Sequence, residues 1–292
     1  MSEIISPDGN KLYYETHGTG QPLLLIHGFA SDISAFRNQI DAFSKKYKVI
    51  LPDLPGHGKS AIPHKPLNSE LFARYIKAVI DNLSFDIGHL KLAVLGWSMG
   101  GRVALKLWEL HKELISKMIL VGTTPHYLKT KDFPHGMPRK FFEDLRQKIK
   151  DNPERGLNYF RNLVFAKGKS SARRSPTCPL KLQRKREGEG GPKELKHVFY
   201  DTSKNTINAL MSALNSLEFE DMRSILCSIN VPTLLIHGEI DQVCYKGTSE
   251  YMAEHITGSK LVIIPDAAHA PFLTKPGKFN KMILEFLKKN DR

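Results

Sequence analysis

The chain has 292 residues, 41% hydrophobic and 25% charged, which suits one large packed core and excludes a disordered chain. No run approaches the roughly 18 apolar residues of a membrane span. Three cysteines (Cys178, Cys227 and Cys244) with no C-x-x-C pair suit neither a disulfide framework nor a structural zinc site.

Taken in chain order, the opening "MSEIISPDGNKLYYE" predicts two short strands around a Pro-Asp-Gly-Asn turn. It carries no basic-then-apolar leader, so a cytoplasmic protein with reduced thiols is expected. Then strand-like and amphipathic runs alternate: "PLLLIHG", "AFRNQIDAFSKKY", "KVILPDL", "SELFARYIKAVIDNL", "LKLAVLG", "RVALKLWELHKEL", "ISKMILVG". This alternation is the signature of a parallel sheet covered by helices. From 125 to 227 there is no strand-like run; helices are expected over 138–150, 154–165, roughly 193–204 and 206–217. The alternation resumes with "PTLLIHG", "TSEYMAEHI", "KLVIIPD" and "FNKMILEFLKKN". The expected organisation is an α/β core in two parts, 1–124 and 228–292, interrupted by a helical cap, 125–227.

The formal net charge is +13, and the interrupting segment carries 21 basic and 12 acidic residues, nine of those thirteen charges. From Arg155 to Arg186 there are ten basic residues and no acidic one. Overlapping this run, 170–192 reads as a basic loop of polar, Gly- and Pro-bearing composition. Such a charge favours an acidic partner. Nucleic acid is disfavoured because the run lacks interleaved aromatics and any recognisable module.

The stretch "VLGWSMGG" places Ser98 between a buried strand and a helix, in the pattern Gly96-x-Ser98-x-Gly100. Such a turn is sharp enough that bulky neighbours two residues away collide, and it lifts the hydroxyl to a helix N-terminus. The expected reading is a nucleophilic serine, with the Met99 N–H able to stabilise an oxyanion. A nucleophile needs a base and the base an orienting carboxylate. His269, in the loop after the last strand, is the expected base; His27 and His237, at strand ends, brace loops. Asp241, in "LLIHGEIDQV", is the expected acid, with Glu239 and Asp266 as competitors. The second oxyanion donor is expected from the loop after the first central strand, where the Phe29 N–H is the candidate and its ring walls the pocket. Gly58-Lys59-Ser60 resembles the end of a phosphate-binding loop, but the required first glycine falls on Asp53, which excludes that reading.

Together "LLLIHGF", "VILPDLPGHGKS", "VLGWSMGG", "TLLIHGEIDQV" and "AAHAPF" resemble the α/β-hydrolase superfamily. "GWSMGG" with "AAHAPFLTKPGKF" most resembles the pimeloyl-[acyl-carrier protein] methyl ester esterases of biotin synthesis. That resemblance implies an α/β-hydrolase fold, a Ser98–His269–Asp241 triad, a Phe29/Met99 oxyanion hole and no metal or organic cofactor. It implies that Phe160 lines an acyl channel beside Phe29, Met99 and His269. It also implies that Arg155, Arg161, Arg173 and Arg174 contact an acidic acyl carrier protein, the chain being a monomer. Two alternatives use the same features: a broad small-ester or C–C bond hydrolase, and a ligand receptor on a hydrolase scaffold.

Overall fold

The Pro7–Asn10 turn, with Gly9 at φ 82°, folds β1 (Ser2–Ile5) antiparallel onto β2 (Lys11–His17). This computed structural model describes residues 2–165 and 204–289. After the hairpin come β3 (Gln21–Ile26), α1 (Arg37–Phe43), β4 (Tyr47–Pro52), α2 (Ser69–Asn82) and the single turn α3 (Ser84–Ile87). Next are β5 (Leu92–Trp97), α4 (Met99–His111) and β6 (Ile115–Val121). The segment that follows β6 contributes α5 (Arg139–Asp151), α6 (Pro153–Val164) and α7 (Lys204–Phe219). Then come β7 (Thr233–Gly238), α8 (Lys246–His255), β8 (Lys260–Ile264), the turn α9 (Pro271–Thr274) and α10 (Pro276–Lys289).

The eight strands form one sheet in the order β1-β2-β4-β3-β5-β6-β7-β8, parallel from β4 to β8. β5 and β7 are buried at every position, as strands covered on both faces must be. From β3 the chain crosses to β4 on one side, then returns past β3 to β5 on the other. Crossovers in opposite directions are both right-handed only if their helices lie on opposite faces. Accordingly α1 packs on α10 and α2 on α4. Strand order therefore reverses at β3–β5, and the crevice outside the carboxyl ends of these strands is where such sheets place ligands.

The helices follow from side-chain spacing and caps. In α10 the apolar Phe279, Ile283 and Leu287 recur every fourth residue and are fully buried, each burial worth about 1.5–3 kcal/mol. In α6, Asn152 caps the first turn by accepting from the Arg155 N–H at 2.9 Å, and Pro153 begins the helix. The expected helices 138–150 and 154–165 correspond to α5 and α6. The expected 206–217 helix is longer, beginning at Lys204 and running to Phe219. The rest of the expected 193–204 helix, the basic loop and Arg173 and Arg174 lie outside the described residues.

The described residues between β6 and β7 contain two isolated bridges, His126 with Asp221 and Leu128 with Met137. Glu218 of α7, buried, is paired with Arg139 at 3.3 Å and with Arg146, which ties α5 to α7. Arg102 of α4 is fully buried and donates to the Pro125 carbonyl at 3.0 Å and to the Glu220 carbonyl at 3.0 Å. One side chain thus holds both ends of this segment against the sheet. Among the described residues no helix is long and apolar enough to cross a membrane.

Candidate active site

Ser98 closes β5 and opens α4 at φ 55° and ψ −118°, a left-handed conformation that costs a residue with a Cβ about 1–3 kcal/mol. The small neighbours are there because nothing larger fits. A Cβ on Gly96 would lie 2.5 Å from the Gly101 Cα, and one on Gly100 2.5 Å from the His27 carbonyl. The turn is held by the Ser98 N–H donating to Val121 at 2.9 Å and by the Thr123 hydroxyl donating to the Ser98 carbonyl at 2.9 Å.

His269 sits in the loop after β8, and its backbone is held from two directions. Its N–H donates to the Val164 carbonyl at 3.2 Å, and its carbonyl accepts from the Trp97 indole at 2.9 Å. Trp97 is the residue before Ser98, and its ring centroid lies 5.7 Å from that of His269. The loops carrying Ser98 and His269 are therefore joined side by side at the carboxyl ends of their strands.

Asp241, buried in the loop after β7, lies 2.7 Å from His269 Nδ1 through its Oδ2. Its Oδ1 accepts from the Val243 and Cys244 N–H groups at 2.8 and 3.0 Å. Burial pushes this carboxyl up, but the neighbouring His269 and these hydrogen bonds outweigh it and hold it below the ordinary value. An ionised carboxylate only accepts, so Nδ1 carries a proton and Nε2 is the ring nitrogen left for another partner. Nε2 is buried and has no hydrogen-bond partner among the described residues. The competing carboxylates lie elsewhere: Glu239 accepts from the Asp266 N–H at 3.2 Å on the exposed surface.

His237 and His27 behave as braces. His237 Nδ1 lies 2.7 Å from the Ser249 hydroxyl and Nε2 2.9 Å from the Cys244 carbonyl, which steadies the loop carrying Asp241. His27 Nε2 accepts from the Leu54 N–H at 3.0 Å. Burial lowers both pKa values, so each ring is neutral. Asp53 accepts from the Ile33 N–H at 3.0 Å and the Lys59 N–H at 2.8 Å, joining the loops after β3 and β4. Its carboxyl lies against Gly58, where a phosphate-binding loop requires open backbone.

Phe29 and Met99 lie in the loop after β3 and in the first turn of α4. No bond among the described turn and loop pairings uses either backbone N–H. Phe160 of α6 stands edge-on to Phe29, ring centroids 5.4 Å apart, so α6 lies over the loop after β3. Arg155 is exposed and Arg161 half-buried on the same helix.

The residue that sequence reasoning missed is Tyr127. Its hydroxyl lies 3.1 Å from Ser98 Oγ, and it is buried. It sits in "TTPHYLK", a stretch with neither strand nor helix periodicity, and nothing in the sequence links it to Ser98 across 29 residues. Among the described residues no cluster of three or more His, Cys, Asp or Glu could hold a metal ion.

A model of the alpha/beta hydrolase fold family matches residues 21–276. The chain is 28% identical over 268 residues to the pimeloyl-[acyl-carrier protein] methyl ester esterase of Nitrosomonas europaea, covering 92% of this chain and 96% of that protein. Among solved structures it is similar to an esterase from Exiguobacterium antarcticum, with a TM-score of 0.84 and 29% identity over 98% of this chain and 99% of that one. A bromoperoxidase from Bacillus anthracis gives the same TM-score of 0.84 at 24% identity, covering 98% of this chain and 100% of that one, which is a likeness of fold.

Proposed function

The chain belongs to the alpha/beta hydrolase fold family, and on that premise we propose that it is a serine carboxylesterase acting on the methyl ester of pimeloyl-[acyl-carrier protein]. The observation that carries the esterase reading is the buried Asp241–His269 pair, 2.7 Å apart, whose open Nε2 lies in the loop joined to Trp97, next to Ser98. The choice of substrate rests on the name of the Nitrosomonas relative and on its match over nearly the whole chain.

In this reading Ser98 is the nucleophile, His269 the base and Asp241 the orienting carboxylate. The Ser98 hydroxyl turns from Tyr127 towards His269 Nε2, which takes its proton as Oγ attacks the ester carbon. The Phe29 and Met99 N–H groups receive the developing oxyanion; one such donor is worth about 100- to 1,000-fold in rate. His269 returns the proton to the departing methoxide, releasing methanol. A water, deprotonated by the same nitrogen, then attacks the acyl-enzyme and releases the carboxylic acid. Asp241 stays ionised throughout. No metal or organic cofactor enters these steps.

Residues 125–227 act as a cap over a core of 1–124 and 228–292, and Phe160 beside Phe29 walls the acyl channel. Arg155 and Arg161 of α6, with Arg173 and Arg174 in the basic run, receive the acidic carrier protein. Charge complementarity of this kind mainly raises the on-rate.

Methanol release from methyl esters of carrier-linked diacids, measured across acyl lengths, tests the proposal. Release that peaks at the pimeloyl length is the expected result. Release from small free methyl esters but not from carrier-linked ones points to a broad small-ester hydrolase instead. No ester turnover at all favours a ligand receptor on this scaffold.

A further inference from the structure

The Ser98 hydroxyl does not rest on the imidazole. It is hydrogen-bonded to Tyr127, oxygen to oxygen 3.1 Å, while His269 Nε2 has no partner among the described residues. The phenol cannot easily leave. Its ring is buried with the Arg102 guanidinium 5.6 Å from the ring centroid. Its backbone carbonyl accepts from the Met137 N–H at 2.6 Å, beside the Leu128–Met137 bridge. A further polar neighbour of the hydroxyl is the Cys244 thiol, also buried. A thiol sulfur accepts weakly, so Ser98 Oγ is the better acceptor whenever the phenol donates. Burial first, then Cys244, pushes the phenol well above its ordinary range, so it keeps its proton.

In the resting enzyme either hydroxyl can donate. Once Oγ is esterified it carries no proton, and the phenol is the donor that remains. We propose that Tyr127 is a catalytic residue of deacylation, donating a hydrogen bond to Ser98 Oγ as the acyl carbon–Oγ bond breaks. The proposal rests on Ser98 being the nucleophile. In this step water has added to the acyl carbon, its proton resting on His269 Nε2. The bonding pair of the C–Oγ bond moves to Oγ, His269 Nε2–H returns the proton to Oγ, and the carboxylic acid departs. Tyr127 keeps its own proton and lowers the energy of the charge building on Oγ. During acylation the same contact competes with His269 for the resting hydroxyl and offers no advantage. The two half-reactions therefore respond differently to its loss.

The test is stopped-flow hydrolysis of p-nitrophenyl butyrate by the full chain and by Tyr127→Phe. The expected result is an undiminished burst rate constant followed by a steady-state rate about 10- to 100-fold lower, the range of a hydrogen bond to a charged group. Mass spectrometry of the quenched variant should then find the butyryl adduct accumulated on Ser98. Burst and steady-state rates falling together, or neither changing, overturn the proposal, because a merely structural role moves both or none. Should Tyr127→Phe not fold, 3-fluorotyrosine at position 127, a stronger donor, must raise the deacylation rate; an unchanged or lower rate is contrary. Fluorophosphonate labelling of the unaltered chain separates the two ideas. No label on Ser98 removes the nucleophile and the proposal with it, whereas a labelled Ser98 with equal loss in both phases removes the role of Tyr127 alone.

Discussion

The His269 backbone N–H donates to the Val164 carbonyl at 3.2 Å, so the last turn of α6 is bonded directly to the loop that carries the imidazole. One helical turn earlier on α6, Phe160 stands against Phe29. The helix thus touches the loops on both sides of Ser98. Phe160→Ala should cost about 3–5 kcal/mol of stability through the cavity it leaves. It should also lower kcat/KM for long acyl chains more than for acetyl esters, the effect expected of the proposed channel wall. Urea titration and a p-nitrophenyl ester series measure the two effects; an equal loss at every chain length would remove Phe160 from the channel.

Asp241→Asn should lower kcat by about 10⁴-fold with little change in KM. The amide can still accept from the Val243 and Cys244 N–H groups, so the loop is expected to keep its shape. What changes is the partner of His269 Nδ1, whose proton is then no longer drawn to a carboxylate. Glu239→Gln, on the exposed pair with Asp266, should leave kcat within about twofold, because surface substitutions of this kind are close to neutral. The reverse ranking of these two variants would exchange the assignments.

Arg102→Met removes one donor from each of the Pro125 and Glu220 carbonyls and the cation paired with the Glu220 carboxylate, leaving the Met222 N–H on the Pro125 carbonyl and His126 Nδ1 beside the Glu220 carbonyl. The expected cost is about 2–4 kcal/mol, or roughly 5–10 °C in melting temperature. The damage should be local to the ends of the β6–β7 segment, so limited proteolysis there should accelerate before the core melts. A melting temperature within about 2 °C of the parent would mean that Arg102 is dispensable for holding the segment.

Folding stability should fall in mild acid. Burial, then the nearby His27, lowers the His57 pKa from 6.5 to about 3. The unfolded chain therefore takes up this proton near pH 6.5 while the folded chain resists it. The contribution is complete above about 6.5 and is lost progressively as the pH falls towards 3. His27 and His237 shift in the same direction. Urea midpoints between pH 7.5 and 5 should decline, and less steeply in His57→Asn, whose amide can still donate to the Pro55 carbonyl, 2.9 Å from Nδ1 in the parent. Identical slopes in the two proteins would exclude His57 as a source.

Reversing charge at Arg155 and Arg161 should weaken turnover of a carrier-linked ester and spare a small one. The effect should fade as salt screens the encounter, with a Debye length of about 8 Å at physiological ionic strength. Equal losses on both substrates would assign these arginines to folding.

Much of the sheet was legible because burial writes itself into composition. β3, β5, β6 and β7 are nearly continuous apolar runs, and strands covered on both faces must be. The elbow was legible for a steric reason: Gly96 and Gly100 have no room for a Cβ, so their identity marks the turn before any fold is known. The length of α7 was not. Propensity gives no boundary there.

The ordering of Ser98, Asp241 and His269 at strand ends was readable from the chain, since each sits where an apolar run stops. Their approach was not, and neither were Tyr127 on Ser98, Val164 on His269, or Arg102 beneath both ends of the β6–β7 segment. These contacts join residues 23 to 118 positions apart through single hydrogen bonds. Local sequence governs φ, ψ and which face is apolar, properties of a few neighbouring residues. A hydrogen bond across the sheet depends on tenths of an ångström in how whole elements pack, and only the folded chain decides that.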